Sequence, residues 1–240
     1  MPTALFRFRA SAAGLLAGIF LLAAGTPLLS GCTGSLFSSK VPVPQVYVLT
    51  QSPPEAPVIP QPSQADLVLS ITSAGPGLFS EHIAALRPGR RLDYFNHALW
   101  GSSAPRVLQA FLITSLQNQG RFKSVISDDT RVAAPYVVDT DLRDFQAEYV
   151  TEGAAPTVRV TIVALLMRVK DRALLKIMPV TATARAEDDR LGEVVEAFEK
   201  ASTQVANSLG EELTNALQNE QYDALPPQPR LPDEPPSPDR

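Results

Sequence analysis

The pattern that decides the fold lies in residues 157–186, which read TVRVTIVALLMRVKDRALLKIMPVTATARA. Apolar residues alternate with other residues in the first half, at Val158, Val160, Ile162, Ala164 and Leu166. The second half repeats the alternation at Met178, Val180, Ala182 and Ala184. A period of two is typical of a β-strand with one buried face, and residues 170–172 leave room for a short turn. The stretch therefore predicts two strands, 157–169 and 174–186, paired as an antiparallel hairpin.

A third long strand is predicted before the hairpin, over residues 136–150. The alternation of apolar, inward-facing residues shifts by one position between Leu142 and Phe145, as a β-bulge would cause. Strands joined by short connections usually lie side by side, so these three strands should pair antiparallel in chain order. Shorter segments with strand character come earlier in the chain, at residues 45–50, 66–72, 83–86, 92–95 and 122–126.

Two amphipathic helices are predicted to accompany the strands. The first begins after Ser102 or Ser103, has Pro105 in its first turn and ends near Gly120. The second has apolar residues that step by three or four, at Val194, Phe198, Ala201, Val205, Leu209, Leu213 and Leu217. The sequence thus predicts a single α+β domain over residues 43–222, with the two helices packed on a mainly antiparallel sheet.

The N-terminal segment has the pattern of a secretory signal. Arg7 and Arg9 precede an apolar run over residues 10–29, and the run ends in Leu29-Ser30-Gly31-Cys32. A small residue before a lone cysteine resembles a bacterial lipobox, in which the cysteine sulfur is acylated and the chain is cut before it. The alternative is a retained transmembrane helix, because the run is about long enough to span a hydrocarbon core of roughly 30 Å. Glycines and a proline within the run weaken that alternative: Gly14, Gly18, Gly25 and Pro27.

The lipobox and the proline distribution divide the chain into four parts. Residues 1–31 are the predicted signal peptide, and residues 32–42 are a flexible tether that starts at the lipidated Cys32. Residues 43–222 form the domain. The proline-rich tail, 223–240, has too few apolar groups to offset the entropy of ordering it, so we expect it to be disordered.

Thr33 bears on the location of the mature protein. In lipoproteins of two-membrane bacteria, an Asp directly after the cysteine is the usual signal for retention in the inner membrane. The resemblance to these lipoproteins therefore implies a lipid-anchored protein on the periplasmic face of the envelope, at the outer membrane.

The charge of the chain argues against a nucleic-acid partner. The full chain has 21 Lys and Arg and 25 Asp and Glu, and loss of Arg7 and Arg9 with the signal changes the formal charge from −4 to −6. Phosphate binding needs a basic patch, and no run of basic residues is longer than Arg90-Arg91. The single cysteine also excludes a disulfide or a cysteine-based metal site within one chain.

Residues that carry enzymatic chemistry are sparse. The only histidines, His82 and His97, are fifteen residues apart, and no His-Glu-x-x-His, Gly-x-Ser-x-Gly or P-loop motif occurs. Asp139, Asp141 and Asp144 could collect a hard cation, but charges that keep a sheet face soluble are the simpler interpretation. We therefore expect no catalytic site, no metal site and no cofactor.

Tyr94, Phe95 and Trp100 form an aromatic group just before the first predicted helix. Such a group is most often a core anchor, because aromatic side chains bury large areas. The alternative is that part of the group contacts a partner, since Trp and Tyr are enriched among interface hot spots. These three residues are therefore the candidate partner interface.

Further landmarks occur in a recognisable order. After the lipobox come Tyr47-Val48-Leu49, Trp100 before a helix, Leu116-x-x-x-Gly120-x-Phe122-x-x-Val125, Leu142-x-x-Phe145 and Val194-x-x-Phe198-x-x-Ala201. This order resembles the ABC-type transport auxiliary lipoprotein family over residues 47–217.

The resemblance implies a non-enzymatic component of a lipid transporter. Members of the family work with an MCE-domain periplasmic protein, an ABC permease and an ATPase, which is a separate chain. By resemblance we expect the domain to dock or stabilise the periplasmic MCE assembly at the outer membrane, with ring-like self-association as a possible homo-oligomeric state. The rival hypothesis is a structural envelope lipoprotein that binds peptidoglycan or another outer-membrane complex. A lipid-carrier role is disfavoured, because two helices on a small sheet normally fill their own core.

Overall fold

The computed structural model describes residues 42–51 and 63–223. The predicted signal peptide, the predicted tether before Pro42 and the predicted tail after Asp223 lie outside these ranges. The strands are β1 (Gln45–Tyr47), β2 (Ser63–Ala74), β3 (His82–Arg87), β4 (Arg91–Trp100), β5 (Phe122–Ser127), β6 (Tyr136–Glu148), β7 (Thr157–Arg168) and β8 (Ala173–Arg185). The helices are α1 (Ala104–Asn118) and α2 (Leu191–Asp223), and one 3-10 turn covers Asp128–Thr130. No helix in the described part of the chain is long and apolar enough to cross a membrane.

The strands form one sheet that is organised around β6. One edge of β6 pairs with β7 from Tyr136 to Glu148. The other edge is shared, because residues 136–142 pair with β2 and residues 146–148 pair with β3. β5 lies outside β2, β4 and then β1 lie outside β3, and β8 lies outside β7. Within the described residues, the free edges of the sheet are therefore β1, β5 and β8.

The predicted fold class is confirmed: the chain forms a single α+β domain with two helices on one sheet. The antiparallel order of β6, β7 and β8 is also confirmed, with twelve residue pairs in register in each ladder. The sequence did not predict the parallel pairings, which join β2 to β5 and β6, β3 to β6, and β1 to β4. These pairings are long-range, and the periodicity of a strand does not determine the direction of its neighbour.

The predicted bulge is present in β6. The register with β7 shifts between Leu142 and Asp144, and Leu142 and Phe145 both have no exposed surface. In a regular strand, residues three apart face opposite sides of the sheet. The shift coincides with the point where the other edge of β6 passes from β2 to β3.

Both helices cover the same face of the sheet. α1 contacts β2 and β5, α2 contacts β2, β7 and β8, and the two helices contact each other. α1 begins next to Pro105, as predicted, and Gly120 follows it with a φ of 62°. α2 extends beyond the predicted stripe at both ends, and its 33 residues give a length of about 50 Å. The seven residues of the predicted stripe are each no more than 2% exposed.

His97 interrupts β4 with a left-handed backbone. Its φ is 56°, its side chain is exposed, and the register between β3 and β4 shifts around it. The left-handed region costs an L-residue roughly 1–2 kcal/mol, whereas glycine adopts it freely. The native residue therefore carries a backbone strain that glycine would not.

We expect His97→Gly to raise the free energy of unfolding by up to about 1 kcal/mol, and His97→Val to lower it by a similar amount. Urea unfolding followed by circular dichroism measures both effects. Thr183→Gly is the matched control, because Thr183 is exposed in β8 without a positive φ, so glycine should destabilise there. The same loss of stability for glycine at both positions would contradict the assignment of strain to His97.

Candidate functional site

Trp100, the last residue of β4 and part of the predicted partner interface, lies in the core. It is 1% exposed, and the centroid of its ring system is 5.5 Å from that of Phe145 on β6 and 5.2 Å from that of Phe198 on α2. The centroids of Phe145 and Phe198 are 4.8 Å apart. The three residues thus form one aromatic cluster between the sheet and the helix. Of the two roles predicted for Trp100, this placement favours the core anchor.

Tyr94 and Phe95 are half-buried and lie outside that cluster. The Tyr94 hydroxyl donates a hydrogen bond to the carbonyl oxygen of Gly77 at 3.1 Å. The Phe95 ring lies 6.4 Å from the Tyr149 ring and 5.9 Å from the guanidinium carbon of Arg87. The structure therefore places the three predicted residues in separate environments, and the interface role of Tyr94 and Phe95 stays a prediction.

Arg87 organises a charged cluster at the end of β3. Its guanidinium carbon lies 4.1 Å from the centroid of the Tyr149 ring, and its nitrogens form ion pairs with Asp93 at 3.8 Å and Glu152 at 3.3 Å. The Tyr149 hydroxyl donates a hydrogen bond to Asp189. Burial and this hydrogen bond raise the pKa of Tyr149. The phenol therefore stays protonated at neutral pH, and the cluster holds the start of the α2 region against the sheet.

Of the three carboxylates predicted as possible cation ligands, Asp144 accepts a hydrogen bond from Gln146 on its own strand, and the other two bind side chains of β2. Asp139 accepts hydrogen bonds from Thr72 at 2.6 Å and Ser70 at 3.3 Å, and Asp141 accepts one from Ser73 at 2.6 Å. These bonds tie β2 to β6. Across residues 42–51 and 63–223, no group of three or more His, Cys, Asp or Glu is placed to hold a metal ion.

His82 contacts a hydroxyl, but the contact is a local turn. Its Nδ1 lies 2.9 Å from Ser80 Oγ, which also accepts a hydrogen bond from the backbone N–H of His82 at 3.0 Å. A catalytic pair needs a third group that orients the imidazole. The contacts of the described residues supply no carboxylate partner for His82.

A groove of about 570 Å³ lies between residues 48–51 and α1. The Gln51 side-chain amide donates a hydrogen bond to the carbonyl oxygen of Phe111 on α1 at 2.6 Å. Thr50 donates two hydrogen bonds of 2.6 Å, from its backbone N–H and its hydroxyl, to Glu199 on α2. These hydrogen bonds hold residues 50 and 51 against both helices, and they therefore fix one wall of the groove.

The lining of the groove is mainly apolar, with Val48, Leu49, Val107, Ala110 and Phe111. The charged residue in the lining is Arg106, whose guanidinium lies 2.7 Å from Asp129 and 3.9 Å from Asp128. These carboxylates compensate the charge of the guanidinium. The groove is therefore suited to apolar groups rather than to an anion.

The sequence did not predict this groove. Its walls are far apart in the chain, because Gln51 and Phe111 are separated by 60 positions. From the sequence, Thr50 and Gln51 lie at the end of a short predicted strand. The neighbouring residues do not indicate which helix atoms these two side chains bind. The only local signal was the apolar pair Val48 and Leu49 near the end of the predicted strand, and both residues line the groove.

The β8 edge, at the opposite side of the sheet from β1, is a second exposed apolar surface. Leu174 is 50% exposed and Ile177 is 55% exposed. In the part of the chain that the structure covers, β8 pairs with β7 alone. Pro179 within β8 fits an edge position, because proline has no N–H to donate to a further strand. Away from Pro179, the outward-facing backbone groups of β8 can pair with an added strand.

An ion pair joins β6 and β7 on the sheet face opposite the helices. Arg159 donates two hydrogen bonds, of 2.8 Å and 3.0 Å, to the two carboxylate oxygens of Glu148. The two side chains are 38% and 24% exposed. Burial opposes ionisation of Glu148, but hydrogen bonds from Arg159 and Gln146 outweigh it, so the pKa of Glu148 is lowered.

The family model of the ABC-type transport auxiliary lipoprotein component matches residues 47–225, which is about three-quarters of the chain. The chain belongs to the ABC-type transport auxiliary lipoprotein family. The resemblance predicted from the landmarks is thereby confirmed, and the match starts in β1 and ends just beyond α2. Members of this family are lipoproteins that assist an ABC-type transporter.

Solved structures share the fold. The crystal structure of protein XCC0632 from Xanthomonas campestris is similar, with a TM-score of 0.65 and 23% sequence identity, over 74% of this chain and 99% of that one. The crystal structure of an uncharacterized protein is similar with a TM-score of 0.55 and 15% identity, over 72% of this chain and 99% of that one. No protein of curated function matches the chain.

We expect Trp100→Ala to lower the free energy of unfolding by about 3–5 kcal/mol, because it leaves a cavity between Phe145 and Phe198. Tyr94→Ala should cost about 1 kcal/mol, because the Tyr94 ring is only half-buried. Thermal and urea unfolding measure both values. A Trp100→Ala variant as stable as the native protein would show that the aromatic cluster does not anchor the core.

Glu148→Gln should remove a pH-dependent part of the stability. A carboxylate with a lowered pKa in the folded state stabilises the fold above its unfolded pKa of about 4.3, and this contribution is lost as the pH falls through the folded pKa. The native protein should exceed the variant by up to about 1 kcal/mol at pH 7, because solvent screens the pair. Urea unfolding should show this difference shrinking from about pH 5 to about pH 3. Glu196→Gln, on the exposed side of α2, is the control, and a constant difference for Glu148→Gln would contradict the prediction.

Proposed function

We propose that the chain is an auxiliary lipoprotein of an ABC-type lipid transport system that docks or stabilises the periplasmic MCE assembly at the outer membrane. The observation that carries the proposal is the family match over residues 47–225 in a chain that has a lipobox at its N-terminal side. An auxiliary role also fits the sequence, because it has no Gly-x-x-x-x-Gly-Lys-Ser/Thr motif for ATP. The energy for transport then comes from the separate ATPase.

Acylation of Cys32 supplies the attachment to the membrane in this proposal. One acyl chain holds a protein only marginally, whereas two or more make the attachment stable. Attachment near the partner raises the effective concentration of the domain to about the millimolar range for a short tether. A weak docking contact is then sufficient to hold the assembly. Thr33, in place of the Asp that retains lipoproteins in the inner membrane, supports the outer membrane as the site of attachment.

The β8 edge supports a docking role for the domain. Leu174 and Ile177 expose half of their surface there, and Lys176 is neutralised by Glu212 on α2 at 2.6 Å. The part of the edge over residues 173–180 is therefore apolar and carries little net charge, which suits strand addition by a partner protein. A second copy of this chain could use the same edge, and the predicted self-association would then involve β8.

Affinity purification tests the proposal with the full lipoprotein, tagged after Arg240 and extracted from host membranes in mild detergent. We expect the MCE protein, the permease and the ATPase to co-purify. Cys32→Ala should reduce their recovery by roughly tenfold or more, because it removes the gain in effective concentration. Ile177→Asp should reduce recovery while the protein stays in the membrane fraction, because the side chain is already 55% exposed and the anchor is unchanged.

The rival hypothesis predicts a different set of bound molecules. Recovery of peptidoglycan or of another outer-membrane complex, without an MCE protein even after crosslinking, would contradict the transport proposal. That result would favour the structural envelope lipoprotein.

A further inference from the structure

Exposed apolar side chains are concentrated where the domain begins. Val43 is 87% exposed, Val46 is 64% exposed and Val48 is 58% exposed, although all three lie in or beside the edge strand β1. Soluble proteins usually protect such an edge with charged residues or cover it. Contiguous exposed apolar groups mark a surface that binds something apolar.

Phe79 is a further exposed apolar side chain at this end of the sheet. It is 65% exposed and precedes Ser80, whose carbonyl oxygen accepts a hydrogen bond of 2.9 Å from the N–H of Ala104 at the start of α1. Gly101, three residues earlier, donates its N–H to the carbonyl oxygen of Tyr47 at 2.9 Å. The turn between β4 and α1 therefore has β1 on one side and the loop that carries Phe79 on the other. We call Val43, Val46, Val48 and Phe79 the tether face.

The tether face is continuous with the apolar groove, because Val48 belongs to both. The charged groups beside the groove are net negative, because Asp128 and Asp129 both face Arg106 and Glu199 accepts hydrogen bonds from Thr50. Such a surface is not attracted to anionic lipids. Contact with a bilayer would therefore depend on apolar burial, and salt would not weaken it.

Chain length limits how far the tether face can lie from a lipid anchor. Eleven residues lead from Cys32 to Val43, and they span at most about 40 Å when fully extended. A compact domain of this size has a radius of gyration of about 16 Å. The start of the domain is the part that is joined most directly to the anchor, and it carries Val43, Val46 and Val48 of the tether face.

We propose that the tether face lies on the bilayer that holds the acylated Cys32, with its apolar side chains in the interfacial layer. This inference rests on the proposed lipid attachment. It fixes the orientation of the domain: β1 and β8 are opposite edges, separated by five strand spacings of about 4.8 Å, or about 24 Å. The β8 edge then faces the periplasm and is available to a protein partner.

Spin labels on the full lipidated protein test the orientation. The acylated Cys32 has no free thiol and no other cysteine exists, so an introduced cysteine is the single labelling site. Phe79→Cys and Leu174→Cys are a matched pair, because the native side chains are 65% and 50% exposed and neither is in the core. The labelled proteins are reconstituted in vesicles of phosphatidylethanolamine and phosphatidylglycerol, and the accessibility of each label to oxygen and to a water-soluble nickel chelate is measured.

The expected result is an oxygen-to-nickel accessibility ratio that is roughly threefold higher for the Phe79→Cys label than for the Leu174→Cys label. The difference should persist at high salt, and a Val46→Cys label should behave like the Phe79→Cys label. Equal ratios in protein that floats with the vesicles would overturn the orientation and leave the lipid attachment intact. Protein that does not float would overturn the attachment, and the orientation with it. A Phe79→Cys label shielded from both reagents would indicate a protein contact at this face and would also overturn the proposal.

Discussion

Strand β6 has three neighbours for its two edges, and the rest of the domain depends on how it accommodates them. The register shift between Leu142 and Asp144 lets one edge bind β2 in its first part and β3 in its last part, while the other edge remains paired with β7. A bulge also increases the local twist of a strand. The two groups of outer strands, β2 with β5 and β3 with β4 and β1, can therefore extend in different directions from the same edge of β6. The same shift brings Leu142 and Phe145 to the face that the helices cover.

The aromatic cluster connects this bulge to the long helix. Phe145 lies just past the shift, Trp100 ends the strand that leads into α1, and Phe198 lies on α2. The cluster thus unites three parts of the chain that are distant in sequence. Its position also explains why sequence alone left two roles open for Trp100. A large apolar ring is favoured in a core and in an interface for the same reason, which is the area that it removes from water.

The surfaces that remain exposed suggest a division of roles between the two edges of the sheet. The apolar residues of β1 directly follow the predicted tether in the sequence, and the β8 edge lies on the opposite side of the sheet. In the proposed orientation, the first meets lipid and the second meets a protein of the transport system. The charged cluster around Arg87 and the carboxylates Asp139 and Asp141 are bound within the domain, and the proposals therefore assign binding to the two apolar regions.

The sequence by itself determined the features that depend on neighbouring residues. Alternation predicted β6, β7 and β8 and their antiparallel order, the step of three or four predicted the buried stripe of α2, and the landmarks around Trp100 and Phe198 identified the family. Tertiary structure alone decided the parallel pairings, the burial of Trp100 and the groove beside Gln51. Each of these features joins segments tens of residues apart, for example Gln51 and Phe111. Local periodicity records which side of a strand or helix is apolar, but the segment that covers that side is chosen only when the whole chain packs.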